Sequence, residues 1–233
     1  MIKDVLGIGL KEYWAGNRDA NFFIHNQFGE ADEMPITYFF EGEDEMSDLE
    51  YVALETCKGR VLDVGAGAGR FAVELQNRDC EVVALDTSPG AVDVMKKRGV
   101  KNAQVANIFE YEDEKFDTIL LMMNGIGLAQ TLEQVSTLLE KLKTLLDDSG
   151  EILFDSSDVT YLYDDQPKPK DHYYGEIDFR YQFQSLKGEW FKWVYVDFAT
   201  MQEIADKAGF YCDLLMTDEQ DQYLASLTLK PDA

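Results

Sequence analysis

Two acids and an alternating run of glycines are the residues in this chain whose types and spacing point to chemistry. Asp63 stands inside the stretch VLDVGAGAGR, among the apolar Val61, Leu62 and Val64 and ahead of Gly65, Gly67 and Gly69. Asp86 closes the next apolar run, Val82 to Leu85, at about the twenty-residue spacing of a ribose-binding acid. Positions without side chains let a ligand lie directly on the backbone, near the partial positive charge of a helix N-terminus. An acid at the end of the second strand can accept hydrogen bonds from both ribose hydroxyls. Together these marks indicate an adenosine-type ligand, although a glycine-rich turn alone serves NAD, FAD and other ligands alike.

The elements that must position these residues alternate. Val61 to Val64 reads as a buried strand, the glycines as a turn, and Phe71 to Gln76 as a helix. Val82 to Leu85 is a second strand, and Ser88-Pro89 caps a helix that runs to Arg98 and stops at Gly99. Gln104 to Ala106 makes a short third strand, and Phe116 to Met122 a fourth that ends in MNGIG. Periodic leucines mark a helix over Leu132 to Leu146, and Asp147 to Gly150 turns the chain into a fifth strand, Glu151 to Asp155. Repeated strand-helix units imply a parallel sheet with helices on both faces. The chemistry-bearing residues fall at successive strand ends, where open parallel sheets bind ligands.

Around this centre the pattern changes. From Lys3 to about Glu45 aromatic and acidic residues follow no sustained period, so short helices and loops are expected, placed as a cover over the ligand. Tyr38 or Phe40 is expected to close over it. Asp48 to Cys57 reads as a helix entering the core. Pro167 and Pro169 mark a connector, after which Ile177 to Gln184 and Glu189 to Val196 alternate around Lys187-Gly188 as a hairpin. A helix over Thr200 to Ala208 and two strands, Phe210 to Met216 and Tyr223 to Leu229, close the chain. The expected division is a cover over 1–45 and a main domain over 46–233, the latter with an inserted loop and hairpin over 159–197.

Composition narrows the function classes. A chain of 233 residues buries one substantial core. Its formal net charge of -24 repels phosphate backbones and anionic membranes, so neither nucleic acid nor membrane is expected as a partner. Cys57, Cys80 and Cys212 form no disulfide framework and no metal-ligand spacing, which fits a reduced cytoplasm and no metal. No segment reaches transmembrane length. A homodimer is compatible with all of this.

Asp63 inside the strand, where a dinucleotide fold normally has an apolar residue, and MNGIG after the fourth strand resemble the class I S-adenosylmethionine-dependent methyltransferases. The resemblance implies an α/β fold: a Rossmann-like seven-stranded, mostly parallel sheet of order 3-2-1-4-5-7-6, with an N-terminal helical cover and an inserted β-hairpin. It implies that Asp63 and the backbone of Gly65, Ala66 and Gly67 hold the amino acid end of S-adenosyl-L-methionine and that Asp86 takes the ribose. Thr87 and Ser88 would border the adenine, and Asn107, followed by Ile108, stands where the family often has an acid for the adenine amine. Met123 and Asn124 would lie beneath the sulfonium, and S-adenosyl-L-homocysteine would be the product. The combination of DEMPITYFF, VLDVGAGAGR, MMNGIG, DSSD and YYGE is similar to a group of bacterial methyltransferases of the Bacteroidetes type.

Methyl transfer needs little beyond aligning a nucleophile and excluding water, so no catalytic triad is expected. On the acceptor side Asp155, Asp158, His172 and Glu176 are candidate bases or orienters, and Tyr173 and Tyr174 candidate pocket walls. The expected reaction is methylation of a small molecule at an O or N atom. The lack of an NPPY-like sequence after the fourth strand argues against amine methylation of nucleobases or glutamine. The alternatives are an NAD-binding oxidoreductase, which Asp63 and MNGIG count against, and a catalytically silent module that binds the cofactor.

Overall fold

A computed structural model describes residues 4–18, 21–113 and 115–231. Asp4 opens α1 (Val5–Trp14) by accepting the Gly7 amide, and β1 (Phe22–Asn26) and β2 (Asp32–Glu33) follow. Ser47 and Glu50 form a reciprocal capping box at the start of α2 (Asp48–Thr56). The central units are β3 (Arg60–Val64), α3 (Arg70–Asn77), β4 (Glu81–Asp86), α4 (Pro89–Lys97) and β5 (Ala103–Val105). Then come β6 (Phe116–Leu121), α5 (Leu132–Leu145) and β7 (Leu146–Ser157). The last part holds β8 (Glu176–Phe183), β9 (Leu186–Lys187), β10 (Phe191–Val194), α6 (Phe198–Lys207), β11 (Phe210–Thr217) and β12 (Gln222–Leu229).

The larger sheet runs β5-β4-β3-β6-β7-β12-β11. Numbered by its own strands this is the expected order 3-2-1-4-5-7-6. All neighbours pair in parallel except β12, which is antiparallel to β7 and to β11. Successive residues of β3 point to opposite faces, so Leu62 and Val64 join a core layer with Leu139 and Phe154, while Val61 joins one with Leu75 and Met95. Burial on both faces explains why these strands read as continuous apolar runs. The turn expected at Asp147 to Gly150 is a bulge within β7: pairing with β6 slips between Phe116↔Leu146 and Thr118↔Glu151, and Asp147 accepts the Ser149 amide. The third strand begins one residue earlier than its sequence pattern suggested.

A second sheet, ordered β10-β8-β1-β2 with β9 also on β8, corrects two expectations. The N-terminal segment is not only helices and loops, because Phe22 to Asn26 pairs antiparallel with Phe183 to Phe179. The hairpin turns at Gln184-Ser185 rather than at Lys187-Gly188: Gln184 takes the left-handed φ of 51°, Gln182 pairs with Lys187, and the Gly188 amide donates to the Tyr181 carbonyl within the returning chain. No described helix is long and apolar enough to cross a membrane.

A third apolar cluster, including Leu10, Phe22, Ile36, Ala68, Val94 and Phe183, fastens the N-terminal segment to the glycine turn and α4. Here two helix N-termini share one carboxylate: Asp4 accepts the Gly7 amide at 2.8 Å, the Gly90 amide at 2.9 Å and the Ser88 hydroxyl at 2.8 Å. The close approach depends on Gly90, where a Cβ would lie 2.6 Å from the Gly7 Cα. Gly90→Ala should therefore cost about 1–3 kcal/mol in a denaturant titration, as overpacking against backbone does, with faster proteolysis ahead of α2.

Candidate functional site

The carboxyl ends of β3, β4, β6 and β7 bring the residues singled out in the sequence to one edge of the larger sheet. In the turn after β3, Gly65, Gly67 and Gly69 have φ of 76°, 55° and 81°, values that L side chains rarely adopt. The amides of Gly65 and Ala66 both donate to the Leu85 carbonyl at 2.9 Å, and the Gly67 amide donates to Asp86 Oδ2 at 2.8 Å. The amides of Gly65, Ala66 and Gly67 therefore hold the end of β4.

Asp63 is 3% exposed, receives the Ala72 amide at the start of α3, and has no partner for its Oδ2 among the described residues. Burial pushes its carboxyl up to about 7, the Asp86 charge adds to this, and the Ala72 amide opposes it. The nearby Arg70 does not neutralise it, being paired with Glu50 at 2.8 Å and Glu41 at 3.2 Å. Asp86 accepts the Gly67 and Ser88 amides, each at 2.8 Å. Burial still holds it up at about 6 against those bonds.

Thr87 is exposed beside Asp86. Ser88 is instead engaged as the α4 cap, its hydroxyl accepting from Ala91 and donating to Asp4. Asn107 is exposed, and its side-chain oxygen accepts the Phe109 amide at 3.1 Å in a local turn. Ile108 is packed in the core, 5% exposed.

After β6 the chain takes two successive left-handed residues, Met123 (φ 63°) and Asn124 (φ 55°). Such conformations persist where surroundings enforce them, and here Asp155 does so, accepting the Asn124 amide at 2.8 and 2.9 Å. Gln222 donates to the same carboxylate, Ser157 donates to the Asn124 side chain, and Trp193 Nε1 donates to the Asn124 carbonyl at 2.9 Å. Burial raises Asp155 to about 6, opposed by the Asn124, Gln222 and Gly125 donors. These contacts make Asp155 a positioning residue.

The other acceptor-side candidates lie apart from this turn. Asp158 accepts from Thr160 and from the Tyr174 hydroxyl, and Tyr173 donates to Asp197 at 2.6 Å, the cap of α6. Glu176 accepts the Leu132 amide at the start of α5. His172 is exposed and paired with Asp171.

Sequence reasoning missed the ring that lies on the glycine turn. It belongs to Phe39, which a Cβ on Gly67 would meet at 3.0 Å. Tyr38 is 49% exposed, and Phe40 packs against Tyr13 with centroids 4.6 Å apart. Arg98 fixes this strap by donating to the carbonyls of Phe39 (3.0 Å), Phe40 (3.2 Å) and Ala68 (2.9 Å). Also missed were Tyr181, Trp193 and Tyr195 of the second sheet; their same-face spacing was the available signal.

A family model for a methyltransferase domain matches residues 56–209. The crystal structure of an S-adenosylmethionine-dependent methyltransferase from Bacteroides fragilis, in complex with S-adenosyl-L-homocysteine, is 38% identical over 98% of this chain and 96% of that one, with a TM-score of 0.90. The chain belongs to the class I S-adenosylmethionine-dependent methyltransferases. The CcbJ methyltransferase of Streptomyces caelestis shares the fold at 12% identity, with a TM-score of 0.63 over 81% of this chain and 95% of that one. A biotin biosynthesis bifunctional protein, BioHC of Cellvibrio japonicus, is 36% identical over 50 residues, so the match spans 22% of this chain and only 10% of that protein. In this methyltransferase the unpartnered Asp63 Oδ2 fits the family's cofactor, whose ammonium can complete it.

The raised carboxyls set a pH dependence. Folded Asp63 keeps its proton to about 7, whereas its ordinary value is 3.8, so its contribution to stability is full below that value and is lost as pH rises through about 7. Asp63→Asn, which cannot ionise, should be more stable than the parent by roughly 1–4 kcal/mol at about pH 8 and nearly equal to it below about pH 4. Urea denaturation of the unliganded proteins checks this; identical pH profiles would refute the assignment.

Proposed function

We propose that this methyltransferase transfers a methyl group from S-adenosyl-L-methionine to an O or N atom of a small-molecule acceptor. The observation that carries the reading is the buried Asp63 with one oxygen unpartnered, set just before the glycine turn. A carboxylate oxygen in that place receives an ammonium group and repels a dinucleotide pyrophosphate, which counts against the oxidoreductase. When bound, the cofactor supplies an electrophilic methyl on positive sulfur.

In this reading Asp63 binds the ammonium, Asp86 offers its remaining lone pairs to the ribose hydroxyls, and Thr87 borders the adenine. Met123 and Asn124, locked by Asp155, line the sulfur. The N-terminal segment acts as the cover, with Phe39 and the Arg98 clamp excluding water from one side. The net charge of -24 supports a small acceptor over nucleic acid or a membrane surface, and a cytoplasmic setting suits the free cysteines.

Calorimetric titration should show saturable binding of S-adenosyl-L-homocysteine and none of NADH; the reverse would overturn the reading. Labelled methyl from the cofactor should enter small molecules of a cell extract, and binding without any labelling would indicate the silent module. Asp86→Ala should weaken cofactor binding by about 1–3 kcal/mol. Because Asp86 also holds the Gly67 and Ser88 amides, the same change should lower the melting temperature of the unliganded protein.

A further inference from the structure

The second sheet carries an aromatic face that is bonded to the turn after β6. Cross-strand pairs point to the same side, so Phe191 and Phe179 share a face, as do Trp193 and Ile177, and alternation adds Tyr181 and Tyr195. Ring contacts link Phe22 to Tyr181 at 5.4 Å, Tyr181 to Phe191 at 4.9 Å, Phe191 to Phe179 at 6.3 Å and Phe179 to Tyr195 at 6.3 Å. Trp193 anchors this wall beside the Met123-Asn124 turn through its bond to the Asn124 carbonyl. Gly127 is pressed flat on the indole, where a Cβ would fall 1.9 Å from Nε1.

Two hydroxyls on the wall are unengaged. Tyr163, Tyr173, Tyr174 and Tyr223 each donate to a protein oxygen, whereas Tyr181 and Tyr195 have no hydrogen-bond partner among the described residues. Burial pushes Tyr181 up, and the charges of Asp86 and Tyr195 add to it. Burial, then Tyr161, then Asp155 raise Tyr195 to about 12. Tyr181 is in ring contact with Phe191, and Tyr195 stands two residues beyond Trp193 on the same face, next to the turn after β6 that Trp193 bonds.

The charged groups at the carboxyl ends of β3, β4 and β7 are acids without cationic partners among the described residues. Asp63, Asp86 and Asp155 are buried, and none forms an ion pair with a described lysine, arginine or histidine. Arg98 is turned to backbone carbonyls, and Arg180, on the opposite face of β8, stacks over Trp190 at 4.6 Å. A carboxylate or phenolate acceptor would be desolvated there with no lysine, arginine or histidine of the described residues to receive it. A neutral amine gains positive charge as it is methylated, which carboxylates, aromatic faces and tyrosine oxygens all stabilise.

Resting on the methyltransferase reading above, we infer that the acceptor is a small primary or secondary amine carried on a flat apolar group, seated on Tyr181, Trp193 and Tyr195 with its nitrogen toward Asn124. The amine binds as its ammonium ion and gives up one proton to water before attack. Its nitrogen lone pair forms the new N–C bond while the C–S bonding pair stays on sulfur, so the positive charge passes from sulfur to nitrogen. The methylated ammonium then releases one proton to water.

The test is a calorimetric titration of the protein saturated with S-adenosyl-L-homocysteine, using phenethylamine and 3-phenylpropionate as probes of matched size. The amine should bind at least about tenfold more tightly than the acid, as charge discrimination of this kind permits. Tyr195→Phe should weaken the amine about 2- to 10-fold, the usual range for one lost hydrogen bond, with homocysteine-cofactor affinity unchanged. Equal or reversed affinities, an amine affinity indifferent to Tyr195→Phe, or label from the methyl donor entering 3-phenylpropionate in preference to phenethylamine would each overturn the inference. Failure of S-adenosyl-L-homocysteine to bind would instead sink the underlying reading; cofactor binding without amine preference would sink this inference alone.

Discussion

Three buried carboxylates held by backbone amides, and by no cation, set the conditions for the rest of this structure. Asp63 receives the Ala72 amide, Asp86 those of Gly67 and Ser88, and Asp155 that of Asn124. Amide dipoles orient a carboxylate and offset part of its desolvation, yet they leave its charge uncancelled. The result is a set of acids held up at about 6 to 7, near the point of ionisation. A ligand carrying positive charge relieves this directly, so the site favours cations before any specific contact is considered.

The same acids do structural work that makes the cleft shape part of the fold. Asp86 pins the glycine turn to β4, and Asp155 pins the left-handed pair Met123-Asn124, which in turn carries Trp193 of the second sheet. Asp4 lies close enough to Asp86 to raise it further, while fastening α1 to the start of α4. The N-terminal segment, the glycine turn and the aromatic wall are thus connected through charged side chains, with Arg98 and Arg70 closing the strap over the turn by carbonyl and carboxylate contacts. Arg98 is lowered by burial, in keeping with a cation placed to hold neutral carbonyls.

The main sheet was legible because parallel strands buried on both faces give uninterrupted apolar runs, and because Ser88, Gly99 and Gly209 punctuate the helices between them. Asp63 and the glycines were legible for a related reason: polar or side-chain-free residues at the end of such a run need an explanation. What was not legible was the direction of the glycine amides, since that depends on where Leu85 and Asp86 lie in three dimensions. Ser88 and Asn107 illustrate the same limit, being residue types that suit a ligand or a cap equally well until their local partners are known. Glu176 and His172 show the same limit, one capping α5 from a distant strand and the other meeting its sequence neighbour in solvent.

The second sheet was the hardest part to foresee, and the reason is topological. β1 and β8 are separated in the chain by nearly the whole main sheet, yet Phe22 lies opposite Phe183 and Ile24 opposite Tyr181. Neither segment has a complete hydrophobic face alone, so local periodicity in FFIHN is too brief to declare a strand. Pairing of this range carries a loop-closure cost that no local sequence signal announces. The consequence for function is direct: Phe22 belongs both to the cluster that seats the cover and to the ring contacts that continue into Tyr181. Displacing the N-terminal segment from α4 therefore displaces one end of the wall, which in the proposed reading ties admission of the cofactor to the integrity of the acceptor surface.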